Sequence, residues 1–152
     1  MVREYTRLAR PYFALLAFVT LGRWYLGSVK RLPYDQGTSF FSIVTLTLFA
    51  SLLSAVFMRP WLGWRLSKAA GFAVFMAVVS QLVIWLSTAI AYGLDIPSYF
   101  SQPMALNRQV EPIGFAAAMA FRAVGMVVNT ILNGIAGALG WSLGGLLPTR
   151  ER

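Results

Sequence analysis

The side chains best suited to chemistry lie inside apolar stretches of the chain. Asn129 and Asn133 are one helical turn apart, and Gln81 lies in another apolar stretch. Amide groups donate and accept hydrogen bonds, so they can line a path for a solute or hold helices together. An amide without a partner in hydrocarbon is costly, which favours bonding between helices. The predicted polar core consists of Thr47, Gln81, Thr88, Asn129 and Asn133.

Two arginines also interrupt apolar stretches, Arg23 near the end of the first and Arg122 near the start of the last. A charged residue inside a membrane span is by default a candidate functional residue. A long side chain within about two turns of the boundary can instead reach the interface. We therefore hold two interpretations open. Either the arginines snorkel or pair with Asp35, Asp95 or Glu111, or they form an outer anion or headgroup site.

Several kinds of chemistry are excluded by composition. The chain has no cysteine and no histidine, which excludes thiolate clusters, dithiol chemistry and histidine-based haem, zinc and triad sites. Its five acidic residues are scattered, and none falls inside an apolar span, although proton-coupled carriers commonly use an embedded carboxylate. We expect no catalytic residues, no metal site and no cofactor.

The composition is that of an integral membrane protein. The 152 residues are 58% hydrophobic and 12% charged, with a mean hydropathy of +0.66, whereas a soluble domain carries about 25% charged residues. A helix needs about 20 apolar residues to cross the hydrocarbon core. Residues 11–29, 39–58, 69–94 and 115–147 meet this condition. The sequence predicts an all-α bundle of four transmembrane helices that forms a single domain over residues 1–152.

Lysine and arginine counts predict the orientation, because positive loops stay on the cytoplasmic side. The N-terminal tail, the second loop and the C-terminal tail share one side. They contain Arg3, Arg7, Arg10, Arg59, Arg65, Lys68, Arg150 and Arg152, and the other side contains Lys30, Arg31 and Arg108. We therefore expect both termini in the cytoplasm of a multi-pass protein of the inner or plasma membrane. The first span is expected to be an anchor rather than a cleaved signal, because Arg23 directly follows its only cleavage-like triplet, 20–22.

The second loop mixes basic and aromatic residues, a combination typical of a headgroup anchor. Aromatic rings embed at headgroup depth, and each cation near anionic lipid contributes about 1 kcal/mol. The predicted lipid anchor consists of Arg59, Trp61, Trp64, Arg65 and Lys68. Anionic lipid on the cytoplasmic side is thus an expected partner, and nucleic acid is not.

Small residues indicate how the helices pack, because they let backbones approach closely in lipid. Ala136, Gly140 and Gly144 recur every four residues in the last span. This face packs either within one monomer or against a second copy. In the third span the alanines are expected to face protein, whereas Phe72 and Leu86 are expected to face lipid.

The absent chemistry and the small-residue faces favour a non-catalytic accessory subunit of a membrane assembly. Its partners would be other membrane subunits or further copies of the chain. The alternative is a small oligomeric channel or transporter whose lining is the Asn/Gln/Thr set. A pore requires a polar face that is left over after the helices pack, and a subunit requires an unpartnered face of small apolar residues.

Overall fold

The computed structural model describes residues 2–34, 42–107 and 110–148, and within these ranges every regular element is helical. The elements in chain order are α1 (Val2–Leu8), α2 (Arg10–Trp24) with a π-helical extension (Tyr25–Val29), α3 (Ile43–Leu62), α4 (Leu66–Gly93), α5 (Pro103–Asn107) and α6 (Phe115–Gly144). Four helices are long and apolar enough to cross a membrane: α2 with its extension, α3, α4 and α6. The four predicted apolar helices are therefore confirmed.

The first predicted span, residues 11–29, belongs to a helical region that is longer and less regular than the sequence predicts. The Ala9 N–H donates to the Tyr5 carbonyl at 2.8 Å, and the Phe13 N–H donates to the Ala9 carbonyl at 2.8 Å, so the turn pattern continues from α1 into α2. Pro11 has no N–H, which removes one bond at this junction. At the far end, the Lys30 N–H reaches back to the Tyr25 carbonyl at 3.1 Å, the five-residue spacing of a π-helix.

A tight turn joins α3 to α4 and defines what we call the turn end of the bundle, on the predicted cytoplasmic side. Gly63 has φ of 62°, a left-handed conformation that glycine adopts without steric cost. Its N–H donates to the Arg59 carbonyl at 3.1 Å, and the Trp64 N–H donates to the Met58 carbonyl at 3.3 Å. The first is the single 5→1 bond of an αL C-cap, and the second satisfies one more carbonyl near the end of α3.

Helix α6 packs mainly against α4 and α3, and its glycines set the spacing to both. On the α4 side, a Cβ at Gly137 would lie only 2.6 Å from the Ala73 Cβ, and one at Gly134 would lie 3.3 Å from Val74. Small residues on both helices are therefore needed for this close approach.

On the α3 side, α6 lies directly against backbone carbonyls. A Cβ at Gly140 would collide with the Leu52 carbonyl oxygen, and a Cβ at Gly144 would collide with that of Val56. The residue four places after Val56 is Pro60, which has no N–H for that carbonyl. The small-residue face thus packs within the chain at Gly140 and Gly144, and Ala136 is also buried.

Helices α1 and α2 cover a face of α4 that was expected to face lipid. Phe72 is 2% exposed, and the ring of Tyr5 lies edge-on to it at 5.4 Å. Trp64 lies 5.9 Å from Phe72, and Phe13 lies 6.2 Å from Phe75. The expectation for Phe72 is therefore wrong, because α1 provides aromatic partners that the apolar pattern of α4 cannot reveal.

Candidate functional site

Asn129 and Asn133 form a chain of hydrogen bonds along α6 that reaches α3. Asn133 is 2% exposed, and its Oδ1 accepts a 2.7 Å hydrogen bond from Ser51 Oγ. The Asn133 Nδ2 donates to the Asn129 carbonyl at 2.8 Å, and the Asn129 Nδ2 donates to the Gly125 carbonyl at 2.8 Å. One bond therefore joins two helices, and the others close on α6 itself. Ser51 lies one turn after Thr47, the spacing that could have added it to the predicted set.

Thr47 takes part in a separate contact, between α3 and α2. Its Oγ1 donates to the Ile43 carbonyl at 2.7 Å and lies 2.9 Å from the Tyr12 hydroxyl, which is also buried. The Tyr12 hydroxyl also lies 3.4 Å from the Met76 carbonyl of α4. Tyr12 was not among the predicted core residues, because its position near a span border suggests an interfacial anchor.

Gln81 is buried in α4, but its side chain makes no hydrogen bond to the part of the chain that the structure describes. Helices α4 and α6 run antiparallel and meet at Ala73 with Gly137 and at Thr88 with Arg122. Gln81 lies midway between these two contacts on α4, which places it at the level of Asn129. The predicted polar residues thus divide into separate contacts rather than one network.

Arg122 lies at the opposite end of the bundle, which we call the loop end, where residues 94–102 connect α4 to α5. All three of its side-chain nitrogens donate to neutral oxygens: Nε to Thr88 Oγ1 at 3.0 Å, Nη2 to the Phe100 carbonyl at 3.2 Å and Nη1 to the Ala105 carbonyl at 3.3 Å. The Thr88 hydroxyl can accept this bond because it donates to the Ile84 carbonyl at 2.9 Å. Arg122 therefore fixes the loop to α4 and α6.

The loop itself is folded into the bundle. Ser98, Tyr99 and Phe100 are at most 1% exposed. The Tyr99 hydroxyl donates to the Leu32 carbonyl at 3.0 Å, and a Cβ at Gly27 would lie 2.6 Å from the Tyr99 nitrogen. The loop thus covers the ends of the helices and requires a glycine on the π-helical segment for its close approach.

Arg23 is buried beside this loop, with 7% of its surface exposed. Its guanidinium carbon lies 5.3 Å from the ring centroid of Phe100 and 5.8 Å from those of Tyr34 and Tyr99. Cation–π attraction acts over such distances and strengthens where water is excluded. This arrangement could not be predicted from the sequence, because the three rings come from two loops that are distant in the chain.

Two of the three acidic residues that were predicted as partners of the arginines do not pair with them. Asp95 and Glu111 are exposed and form no ion pair with either arginine. The single salt bridge among residues 2–34, 42–107 and 110–148 is Lys68–Glu4 at the turn end. Asp35 lies outside the described residues.

Arg23 and Arg122 line one cavity of about 90 Å³ at the loop end. Its wall also includes Tyr34, Ser42 and Phe100. Ser42 is the N-cap of α3, and its Oγ accepts bonds from the Thr45 N–H and hydroxyl at 3.3 and 2.9 Å. The structure therefore brings the two predicted arginines to a common space that contains polar groups from three parts of the chain.

At the turn end, two members of the predicted lipid anchor contact protein. Arg59 donates from Nη1 to the Trp141 carbonyl at 3.3 Å, and its guanidinium carbon lies 4.0 Å from the centre of the Trp141 ring. This carbonyl belongs to the last turn of α6, where the helix dipole favours a cation. Trp64 is buried, and its carbonyl accepts a 2.7 Å bond from Trp141 Nε1.

The other three anchor residues are nearer the surface. Trp61 and Arg65 are exposed. Lys68 is half-buried and pairs with Glu4 at 2.8 Å, while its backbone carbonyl accepts a 3.0 Å bond from the Tyr5 hydroxyl. Of the five residues, Trp61 and Arg65 are the two that present their side chains outwards.

Within the described ranges, no group of three or more His, Cys, Asp or Glu side chains could hold a metal ion. The chain matches no protein-family model, and no similar curated protein or solved structure was found.

Proposed function

We propose that this chain is a non-catalytic accessory subunit of a membrane assembly. Four helices of sufficient length and apolar character support a multi-pass protein. The excess of lysine and arginine at the turn end supports an orientation with both termini in the cytoplasm, in an inner or plasma membrane.

The observation that carries this proposal is a face of small residues on α6 that no other part of the described structure covers. Ala116, Ala120 and Ala123 are exposed and, with spacings of four and three residues, lie along one side of the helix. They point away from Arg122, which faces α4. A small-xxx-small face lets another helix approach closely, whereas lipid chains gain little from it. It therefore favours contact with a partner helix.

The bonding of the polar residues supports a subunit over a channel. Asn133 and Thr47 are buried and bonded within the chain, and the Asn129 amide donates to its own helix. A pore formed by several copies requires polar groups that remain available after the helices pack. Among the described residues, the side chains of Asn133 and Thr47 are used in contacts between helices, whereas the buried Gln81 side chain makes no hydrogen bond.

Native mass measurement of the tagged full-length protein, extracted mildly from its own membrane, tests the proposal. We expect a larger membrane partner in fixed stoichiometry. Ala120→Leu places bulk on the α6 face and should lower the recovered partner about tenfold, equivalent to about 1.4 kcal/mol. Ala14→Leu makes the same change at an exposed position of α2 and should leave recovery unchanged. A monomer, or a homo-oligomer with no partner, would contradict the proposal.

A further inference from the structure

An apolar groove of about 460 Å³ lies between α2 and α4 on the outer surface of the bundle. Phe13, Ala17 and Leu21 form part of one wall, and Val79 and Val83 form the other. Every residue that lines the groove belongs to a candidate membrane span. From Phe13 to Leu21 the groove follows α2 for about 12 Å, which is most of one leaflet of a hydrocarbon core about 30 Å thick. Its length therefore suits a lipid chain of one leaflet.

The side chains of the groove wall offer no hydrogen-bond donor to a bound molecule. Thr20 is the one polar residue that lines the groove, and its Oγ1 donates to the Leu16 carbonyl at 2.7 Å. The hydroxyl proton is thus used within α2. Ala17 is exposed and short, so it adds depth between the larger side chains. Such a wall favours a hydrocarbon chain, which has no polar group to satisfy.

A row of arginines leads to the groove from the predicted cytoplasmic side. Arg3, Arg7 and Arg10 are exposed and, with spacings of four and three residues, lie along one side of the helical run formed by α1 and α2. Phe13 and Ala17 continue the same side, with spacings of three and four residues. Arg10 therefore lies one turn before the groove begins, at the border of the candidate span.

The positive charge at this end of the groove is not balanced by the described chain. Glu4 is the only acidic residue of α1, and its Oε1 is bound by Lys68 Nζ at 2.8 Å. Arg10 forms neither an ion pair nor a side-chain hydrogen bond with the described residues. A guanidinium can donate two parallel N–H bonds to a phosphate. Charge complementarity thus favours an anionic phosphate at Arg10, next to an apolar chain.

We propose that this groove binds one acyl chain of an anionic phospholipid whose phosphate lies on Arg10. A phosphatidylcholine could fill the groove equally well, but its headgroup carries a cation that the arginines repel. The site is distinct from the predicted lipid anchor of the second loop. It is also independent of the proposed subunit role, because the face proposed for a partner lies on α6, whereas the groove lies between α2 and α4.

Native mass spectrometry of the full-length protein in an uncharged maltoside detergent tests this inference. Phosphatidylglycerol and phosphatidylcholine with the same acyl chains are added separately. The dissociation constant of the first bound lipid is obtained from the intensities of the free and lipid-bound protein. We expect phosphatidylglycerol to bind at least about fivefold more tightly, the effect of one cation near an anionic lipid.

Two pairs of variants connect binding to the groove. Arg10→Gln should weaken phosphatidylglycerol binding about fivefold and leave phosphatidylcholine unchanged, whereas Arg10→Lys keeps the charge and should retain the preference. Arg65→Gln removes a charge at an exposed position of the α3–α4 turn and should change neither lipid. Ala17→Leu fills the groove and should weaken both lipids. Ala14→Leu makes the same change at an exposed position of α2 outside the groove wall and should have no effect.

Four results would overturn the inference. Equal affinity of the wild type for the two lipids would remove the role of charge. Equal losses in Arg10→Gln and Arg65→Gln would indicate a diffuse attraction of anionic lipid to the turn end. Unchanged binding in Ala17→Leu would mean that the chain lies outside the groove. A membrane subunit that co-purifies without lipid and is lost in Ala17→Leu would assign the groove to a partner helix.

Discussion

Substituting Gly140 tests one of the two closest helix contacts in the described structure, the other being at Gly144. An alanine Cβ at this position would overlap the Leu52 carbonyl oxygen and lie 3.0 Å from the Ala55 Cβ. These are backbone and near-backbone atoms, so α3 and α6 must move apart, which also loosens the contact at Gly144. Overpacking costs about 1–3 kcal/mol, and the better helix propensity of alanine returns up to about 1 kcal/mol. We expect Gly140→Ala to lower the free energy of unfolding by about 1–2 kcal/mol.

Gly125→Ala is the matched control on the same helix. A Cβ at Gly125 meets nothing within 4 Å in the described structure. The substitution therefore brings only the change in helix propensity, a gain of up to about 1 kcal/mol. The two glycine-to-alanine changes should thus shift stability in opposite directions.

Unfolding in mixed detergent and dodecyl sulfate micelles, followed by far-ultraviolet circular dichroism, measures both variants against the wild type. The free energy of unfolding is obtained from the midpoint and slope of each transition. Equal stability of Gly140→Ala and Gly125→Ala would refute the packing of α6 on the Leu52 carbonyl.

Four further predictions concern side chains at the two ends and the centre. Arg122→Gln should lower the free energy of unfolding by about 1–3 kcal/mol and speed amide hydrogen exchange in residues 98–101, because the Phe100 carbonyl loses one of its two donors and keeps only the Thr88 hydroxyl. Unchanged exchange would contradict the anchoring role. Asn133→Ala should lower the free energy of unfolding by about 0.5–2 kcal/mol. Adding Ser51→Ala should lower it little further, because the hydrogen bond that the two side chains share is already lost. Full additivity in this double-mutant cycle would count against the bond. Liposomes containing the wild-type protein should show no potassium or chloride flux above empty liposomes, and a flux that Asn133→Ala abolishes would favour the channel. Burial raises the pKa of the Tyr5 phenol. The stability that the buried neutral phenol contributes is therefore complete below a pH of about 10 and is lost as the pH rises through the folded-state pKa. Tyr5→Phe should reduce this loss, which is measured as the change in the free energy of unfolding between about pH 9 and 11.

The long apolar helices could be predicted because each is encoded locally, by about 20 consecutive apolar residues. Helix α1 could not be predicted in this way, because its seven residues include three charges and no apolar repeat. Its contribution comes from tertiary contacts with α4: Tyr5 packs on Phe72 and donates to the Lys68 carbonyl, and Glu4 pairs with Lys68. Phe72 was expected to face lipid for the same reason, because the sequence pattern does not show whether an apolar side chain contacts lipid or another aromatic ring.

The candidate site was predicted in its residue types but not in its geometry. Arg23 and Arg122 stand out in the sequence because charges are rare in apolar spans. Their common cavity depends on how the loop returns over the bundle, with the Phe100 carbonyl on Arg122 and the Phe100 ring beside Arg23. A loop path is set by contacts between residues far apart in the chain, such as Tyr99 with Leu32.

The sequence by itself determined the four apolar helices and the lack of cysteine and histidine chemistry, because these follow from composition and local hydropathy. Only the tertiary structure decided that Gly140 and Gly144 pack inside the chain, that Asn133 bonds to Ser51, and that the two arginines share one cavity. The physical reason is that burial and hydrogen-bond partners depend on the distances between helices. Those distances are set by backbone approach at small residues, which local sequence patterns do not specify.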